Sequence, residues 1–377
     1  MTTDKLGIYI HIPFCASKCH YCDFCSQPLR DGEKMKKYTD ALINEIMTFC
    51  SSQGRYCADT VYFGGGTPSL LPSECFEKIL LCLKDCFCLS HDTEISAEAN
   101  PKTADLKKLS QMRSLGINRL SIGMQSVHDA ELKELGRIHR FSDFESFYAD
   151  ARRVGFDNIS VDLMYGIPSQ SMESFEASLH TLAKLSPEHI SSYCLKIEEG
   201  TRFFDKRESL VLPNEDTVCD MYEKMSEILA HYGYEKYEIS NFSRKGKHSR
   251  HNVKYWKYTD YIGFGSGAHS FFRGERFCNS RDIDKYIETS GMGTKTEIYT
   301  IKPYEAANEY VMLGMRLCSG VDIELFEKKF GLDWGENFGK NFAKFAPEYV
   351  KISDKSCAFT DKGMLLSNYI LSEVLDF

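Results

Sequence analysis

The chain has no long hydrophobic run, no excess of basic residues and no even, closely spaced set of cysteines. Each lack excludes a class. No stretch reaches the roughly 18 consecutive apolar residues of a membrane-spanning helix, so no transmembrane segment is expected. A formal net charge of −8 opposes general nucleic-acid binding, which needs a basic surface. The 15 cysteines are odd in number and scattered over 377 residues, and no signal peptide precedes them. That pattern argues against a disulfide framework and for a reducing, cytoplasmic setting. What is present is a hydrophobic content of 42%, enough for a sizeable core. The length suggests two domains, or one large barrel with an appendage.

The most informative residues are Cys15, Cys19 and Cys22, spaced C-x3-C-x2-C. An iron–sulfur cube usually takes four thiolates. Three leave one iron without a protein ligand, and an open position separates a working metal centre from a structural one. S-adenosylmethionine can chelate such an iron, and a low-potential electron can then split its sulfonium to release a 5′-deoxyadenosyl radical. A zinc knuckle completed by His20 or Cys25 is the alternative reading of the same residues.

Short β-rich runs alternate with helical segments through the first two-thirds. Strands are expected at Gly7–Pro13, Thr60–Gly64, Glu94–Ala99, Arg119–Gln125, Asn158–Tyr165 and His189–Leu195. Helices are expected at Lys34–Phe49, Ser73–Cys86, Thr103–Leu115, Phe141–Val154 and Met172–Leu185. Six β-then-α units imply a parallel sheet curled into part of a barrel, with ligands at the C-terminal strand ends. The cysteines follow the first strand. Gly64-Gly65-Gly66-Thr67-Pro68 follows the second, Glu98 and Asn100 end the third, and Gln125 ends the fourth. Asp162 lies within the fifth, ahead of Gly166.

Each of these has a plainer reading beside it. The glycines can make a tight turn, or let backbone approach a ligand. Glu98 and Asp162 are strand-end charges, or buried carboxylates that need partners such as ribose hydroxyls. Arg137 serves equally as a solvated helix-end cation. Cys75, Cys82, Cys86 and Cys88 sit among Phe76, Ile79, Leu80 and Leu83 at helical spacing. Packing, rather than an auxiliary metal, is expected of them.

Five phrases carry a resemblance: Tyr9-Ile-His-Ile-Pro-Phe-Cys, Val61-Tyr-Phe-Gly-Gly-Gly-Thr-Pro-Ser, Ala97-Glu-Ala-Asn-Pro, Arg119-Leu-Ser-Ile-Gly-Met-Gln-Ser and Val161-Asp-Leu-Met-Tyr-Gly-Ile-Pro. The chain resembles the radical-SAM superfamily over nearly its whole length. Within it, the resemblance is to the branch of oxygen-independent coproporphyrinogen III oxidases and HemW-type haem chaperones. Three features resemble the chaperones more. Six residues precede Gly7, where the oxidases carry a longer arm. Phe24 stands where the oxidase pattern adds a cysteine, and neither pattern explains Cys25. His251-Asn252-Val253-Lys254-Tyr255-Trp256 matches the His-Asn-x-x-Tyr-Trp motif associated with haem. Physically, that motif offers an iron ligand beside aromatic area, or a packed corner with a hydrogen-bonded His251. The glycine-rich Gly263–Ser270 stretch suits a loop over a large ligand.

The resemblance implies Cys15, Cys19 and Cys22 on a [4Fe-4S] cluster, with Tyr9, Gly65 and Glu98 at the cluster-bound S-adenosylmethionine. It implies Gly66, Thr67, Gln125, Arg137 and Asp162 at a second S-adenosylmethionine, and His251 at haem. The fold expected is α/β: a partial (β/α)6 radical-SAM barrel over 1–233, a linking segment over 234–300, and a small winged-helix-like α+β module over 301–377. That module is drawn from helices at Tyr304–Leu317 and Asp322–Phe330, a hairpin of Val350–Ile352 with Ala358–Thr360, and a last helix at Lys362–Leu375. The expected function is haem carriage to client haemoproteins, with an unidentified low-potential electron donor. The rival is decarboxylation of coproporphyrinogen III, so whether the chain is an enzyme stays open.

Overall fold

The computed structural model describes residues 5–29 and 31–376. Six parallel strands form its centre: β1 (Leu6–Ile12), β2 (Cys57–Gly65), β3 (Cys88–Ala99), β4 (Arg119–Gln125), β5 (Ile159–Tyr165) and β6 (His189–Cys194). Between and after them run α1 (Gly32–Gln53), α2 (Ser73–Cys86), α3 (Leu106–Ser114), α4 (Asp129–Glu134), α5 (Phe141–Arg153), α6 (Met172–Leu185) and α7 (Glu215–His231). The expected partial (β/α)6 barrel is present. Three expected elements, β4, α2 and α6, have the expected bounds. Helix α7 had no expected counterpart, although Met221, Tyr222, Met225, Ile228 and Leu229 form its buried stripe.

The segment after α7 does more than join two units. β7 (Glu235–Glu238) and β8 (Asn241–Ser243) extend the sheet antiparallel beyond β6. After α8 (Arg250–Trp256), β9 (Tyr261–Phe264) pairs parallel with the other side of β1. β10 (His269–Phe272), β11 (Glu275–Asn279) and β12 (Lys295–Thr300) continue antiparallel from it. The sheet has 12 strands in the order β12-β11-β10-β9-β1-β2-β3-β4-β5-β6-β8-β7.

Strand alternation sorts the side chains by face. Ile8, Ile10, Val61, Phe63, Ile95, Ala97, Leu120, Ile122, Ile159, Val161 and Ile190 are buried in the core. The intervening residues Tyr9, Tyr62, Glu98, Ser121, Asp162 and Ser191 turn the other way. A parallel sheet packed on both faces usually reads as continuously apolar. Here only the helix-covered face does, and the inner face is polar because it lines cavities. In α2, Cys75 is buried, and Cys82 and Cys86 pack against the core, as expected of small hydrophobes. Among the described residues no group of three His, Cys, Asp or Glu side chains converges as ligands of one metal ion.

The C-terminal module comprises α9 (Pro303–Gly314), α10 (Ile323–Phe330) and a three-stranded sheet of β13 (Val321–Asp322), β14 (Val350–Ile352) and β15 (Ser356–Phe359). The hairpin expected there is β14–β15. The expected last helix is broken at Leu366 into Asp361–Leu365 and Ser367–Val374. Phe326, Trp334, Phe338 and Phe342 form the module's aromatic centre. No helix among the described residues is long and apolar enough to cross a membrane.

Candidate cofactor site

The three cysteines sit on the loop leaving β1 at the C-terminal mouth of the barrel. A short parallel pairing of Phe14–Cys15 with Gln27–Pro28 closes the base of that loop. Lys18 Nζ donates to the carbonyls of Phe24 at 2.8 Å and Ser26 at 3.2 Å and holds its tip. Burial, followed by smaller effects including the neighbouring cysteines, pushes the Cys15 and Cys22 thiols up. The three cysteines share one loop and line one cavity, an arrangement that fits thiolates held for a common cluster. Neither alternative fourth ligand joins them. His20 Nδ1 donates to Glu134 O at 2.9 Å and anchors the loop to the end of α4. Cys25 Sγ points to Arg281 O, 3.7 Å away, in a different cavity from the triplet.

The glycine turn after β2 rests directly on this loop. Gly66 N donates to Ile12 O at 2.8 Å and Thr67 N to Phe14 O at 2.7 Å. A Cβ on Gly66 would lie 2.6 Å from Phe14 O, so only glycine permits that approach. Gly65 has φ +111°, and a Cβ there would meet the His11 ring at 2.5 Å. The turn is thus both a tight structural joint and a cavity wall. Glu98 accepts from Gly65 N at 3.2 Å and from Tyr62 Oη at 3.0 Å. Burial, then the charge of Asp162, pushes its carboxyl up to about 7.

Two cavities open at the mouth, and Gly65, Glu98, Asp23 and Phe24 line both. The larger, about 560 Å³, takes in the three cysteines, Gly66, Thr67, Gln125, Arg137 and Asp162. Arg137 donates to Asn100 Oδ1 at 2.8 Å, and Asn100 Nδ2 to Thr67 Oγ1 at 3.0 Å. Asp162 accepts from Ser121 Oγ at 3.2 Å, and burial pushes it up to about 6. Gln125 sits in the left-handed region at φ +70°, a strained backbone for a non-glycine residue. Gln125 Oε1 and the Nε atoms of Arg119 and Arg137 are buried without a hydrogen-bond partner among the described residues. Buried polar atoms of this kind are costly unless satisfied. Their concentration on one cavity fits a polar, partly anionic ligand.

The smaller cavity, about 400 Å³, is lined by Tyr9, His11, Cys25, Tyr255, Tyr261, Gly267, His269 and Arg281 besides the shared residues. Of the expected residues, Tyr9 lines only the smaller cavity, while Gly66, Thr67, Gln125, Arg137 and Asp162 line only the larger, with the three cysteines; Gly65 and Glu98 line both. His11 bonds Tyr9 Oη through Nδ1 at 3.0 Å and Cys25 O through Nε2 at 2.7 Å. It ties the strand to the end of the cysteine loop, and burial lowers its pKa to about 4.

His251 occupies neither cavity. Its ring is fully buried, with Nδ1 bonded to Thr60 Oγ1 at 2.9 Å and Nε2 to Tyr255 Oη at 2.8 Å. Both nitrogens are engaged, so the expected haem ligation by His251 has no free donor atom here. The packed, hydrogen-bonded corner is the arrangement found. Sequence reasoning passed over Tyr62, Arg119, Tyr261 and Arg281. Alternation within β2 and β4 would have flagged Tyr62 and Arg119 as inward-facing; nothing local marks Tyr261 or Arg281.

Comparison with known proteins agrees with this geometry. Residues 9–182 match the radical SAM superfamily and 301–366 the HemN C-terminal domain. The chain is 33% identical to the haem chaperone HemW of Bacillus subtilis, over 97% of this chain and 98% of that one. It is 33% identical to the haem chaperone HemW of Lactococcus lactis, over 97% and 96%. Coproporphyrinogen III oxidase of Escherichia coli has the same fold, with a TM-score of 0.86 at 24% identity, covering 98% of this chain and 90% of that one. Cluster loop, glycine turn, barrel and C-terminal module thus occur together, and the chain belongs to the HemW family of the radical-SAM superfamily.

Proposed function

We propose that this protein is a haem chaperone. It holds a [4Fe-4S] cluster on Cys15, Cys19 and Cys22, binds S-adenosylmethionine beside it, and delivers haem to client haemoproteins. The observation that carries the reading is the match to haem chaperones along essentially the full length of both chains. When bound, the cluster would supply an open iron and a low-potential electron, drawn from a donor protein. Tyr9, Gly65 and Glu98 would hold the cluster-bound S-adenosylmethionine. Glu98 would accept from ribose hydroxyls; it already accepts from Gly65 N and Tyr62 Oη. Arg137, Gln125, Asp162, Gly66 and Thr67 would hold a second S-adenosylmethionine. The unit over 1–233, joined by Tyr255 and Tyr261 of the segment after it, would carry the cofactors, and the module over 301–377 would serve docking or cover.

The test is anaerobic purification and reconstitution. The protein should retain haem near one per chain, with a Soret band distinct from free haem. Supplied with reductant and S-adenosylmethionine, it should form no protoporphyrinogen from coproporphyrinogen III. Robust production of protoporphyrinogen without haem retention would replace the chaperone with the decarboxylase.

A further inference from the structure

We propose that the His251–Trp256 motif serves S-adenosylmethionine rather than the haem iron: Tyr255 forms a wall of the adenosyl cavity, and His251 is the positioning residue that orients Tyr255 and Tyr62. The inference rests on the reading above, in which S-adenosylmethionine docks at Gly65 and Glu98.

Three observations carry it. First, helix α8 contributes to both cavities: Asn252 lines the larger one and Tyr255 the smaller, while His251 is wholly buried and lines neither. The helix is fixed there by Glu94, whose carboxylate accepts from Arg250 N and His251 N, each at 3.2 Å. Second, the imidazole bridges two hydroxyls, Thr60 on β2 and Tyr255 one turn along α8. A hydroxyl can donate or accept, so a neutral ring is satisfied on both nitrogens in either tautomer. Iron ligation would take one nitrogen away and leave a hydroxyl without its partner. Third, the ring stacks on Tyr62 with centroids 5.3 Å apart, and Tyr62 donates to Glu98. Tyr255 itself meets Tyr261 edge-on at 4.5 Å, and both line the cavity that holds Glu98. Flat aromatic walls beside a carboxylate suit an adenine on a ribose, with the base packed on the rings and the sugar hydroxyls on Glu98.

The test uses the full-length chain, reconstituted anaerobically, with three readouts: S-adenosylmethionine titration, the electron paramagnetic resonance spectrum of the reduced cluster with and without S-adenosylmethionine, and hemin titration. His251→Ala should keep its cluster and weaken S-adenosylmethionine binding by roughly tenfold, the loss of one supporting hydrogen-bonded contact. It should also lose the spectral change on S-adenosylmethionine addition, while hemin affinity and the Soret band stay as in the wild type. Tyr255→Phe should act in the same direction. The double variant should be no worse than His251→Ala, because the histidine acts through the tyrosine. His251→Gln, which retains a donor and an acceptor, should restore part of the affinity. Unchanged S-adenosylmethionine binding in His251→Ala, or a shifted Soret band with S-adenosylmethionine binding intact, would overturn the assignment in favour of a haem ligand. If His251→Ala does not fold, Tyr255→Phe decides by the same criteria. Failure of the wild type to bind S-adenosylmethionine would instead remove the cofactor reading on which this inference rests.

Discussion

His251 lies against Tyr62 with their ring planes 22° apart, and Tyr62 donates a 3.0 Å hydrogen bond to Glu98. A residue beyond the six parallel strands is thereby linked to the carboxylate at the barrel mouth through one aromatic ring. Thr60, two positions before Tyr62 on the same strand, takes the other side of the imidazole. Strand β2 and helix α8 act as one support, with Glu98 bonded at its upper end.

The cluster should depend on three cysteines only. Cys15→Ala, Cys19→Ala or Cys22→Ala should abolish the four-iron signal after anaerobic reconstitution. Cys25→Ser should keep it, because Cys25 Sγ faces Arg281 O in the smaller cavity. Cys82→Ala and Cys86→Ala should keep it too, since both pack behind the sheet. Iron and sulfide counts with Mössbauer spectra check this. A full four-iron signal in Cys19→Ala would sink the assignment.

Glu98→Ala should leave the cluster in place and weaken S-adenosylmethionine binding by about 1.5–3 kcal/mol, roughly one to two decades in affinity. Asp162→Ala should spare the cluster-bound molecule, because Asp162 does not line the smaller cavity, where Tyr9 meets Gly65 and Glu98. Calorimetric titration of both variants separates the two cavities. Identical losses in both would merge them.

Ligand binding should depend on pH through Glu98. Burial and then the Asp162 charge raise its carboxyl from 4.5 to about 7. Because the folded value exceeds the unfolded one, its stabilising contribution to the ligand-free fold is complete below about 4.5 and lost as pH rises through about 7. A ligand with a net positive charge favours the ionised form, so its binding releases a proton. Affinity for S-adenosylmethionine should therefore rise between about pH 5.5 and about pH 8, by up to one proton's worth of slope. Calorimetry in buffers of different ionisation enthalpy measures the proton released. A flat profile would remove ionised Glu98 as a contact.

Gly66→Ala should damage the cluster through the backbone of the cysteine loop. The new Cβ would meet Phe14 O at 2.6 Å and Ile12 O at 2.9 Å, both backbone atoms with little room to move. Overpacking of this kind costs about 1–3 kcal/mol. Denaturant unfolding should show that loss, and iron content after reconstitution should fall with it. Wild-type iron content and stability would show that the cysteine loop does not lean on the turn.

Much of the site was legible because its residues fall where a βα unit puts them. The triplet follows β1, Gly65 ends β2 and Gly66 follows it, and Glu98 and Gln125 stand at the ends of β3 and β4. Periodicity within one element is local, and a sequence displays it directly. Helix α7 carried the same kind of signal, in its stripe of Met221, Met225 and Leu229, and was overlooked rather than hidden. Other features had no local signal. That β9 pairs with the free edge of β1 depends on which strand is left unpartnered once the others are placed. That Cys25 turns from the triplet toward Gly267 and Arg281 depends on a loop more than two hundred positions away.

By itself, then, the sequence determined the barrel's repeating units, the three-thiolate loop and the family, because each is written in short-range spacing and in contiguous phrases. Only the tertiary structure decided which cavity each residue lines and what His251 bonds. Thr60 and His251 are 191 positions apart, and no pattern along the chain says that a histidine beside a tyrosine will spend both nitrogens on hydroxyls inside the fold. A side chain's chemistry is set by which of its atoms remain free, and folding settles that by bringing distant partners within hydrogen-bonding distance.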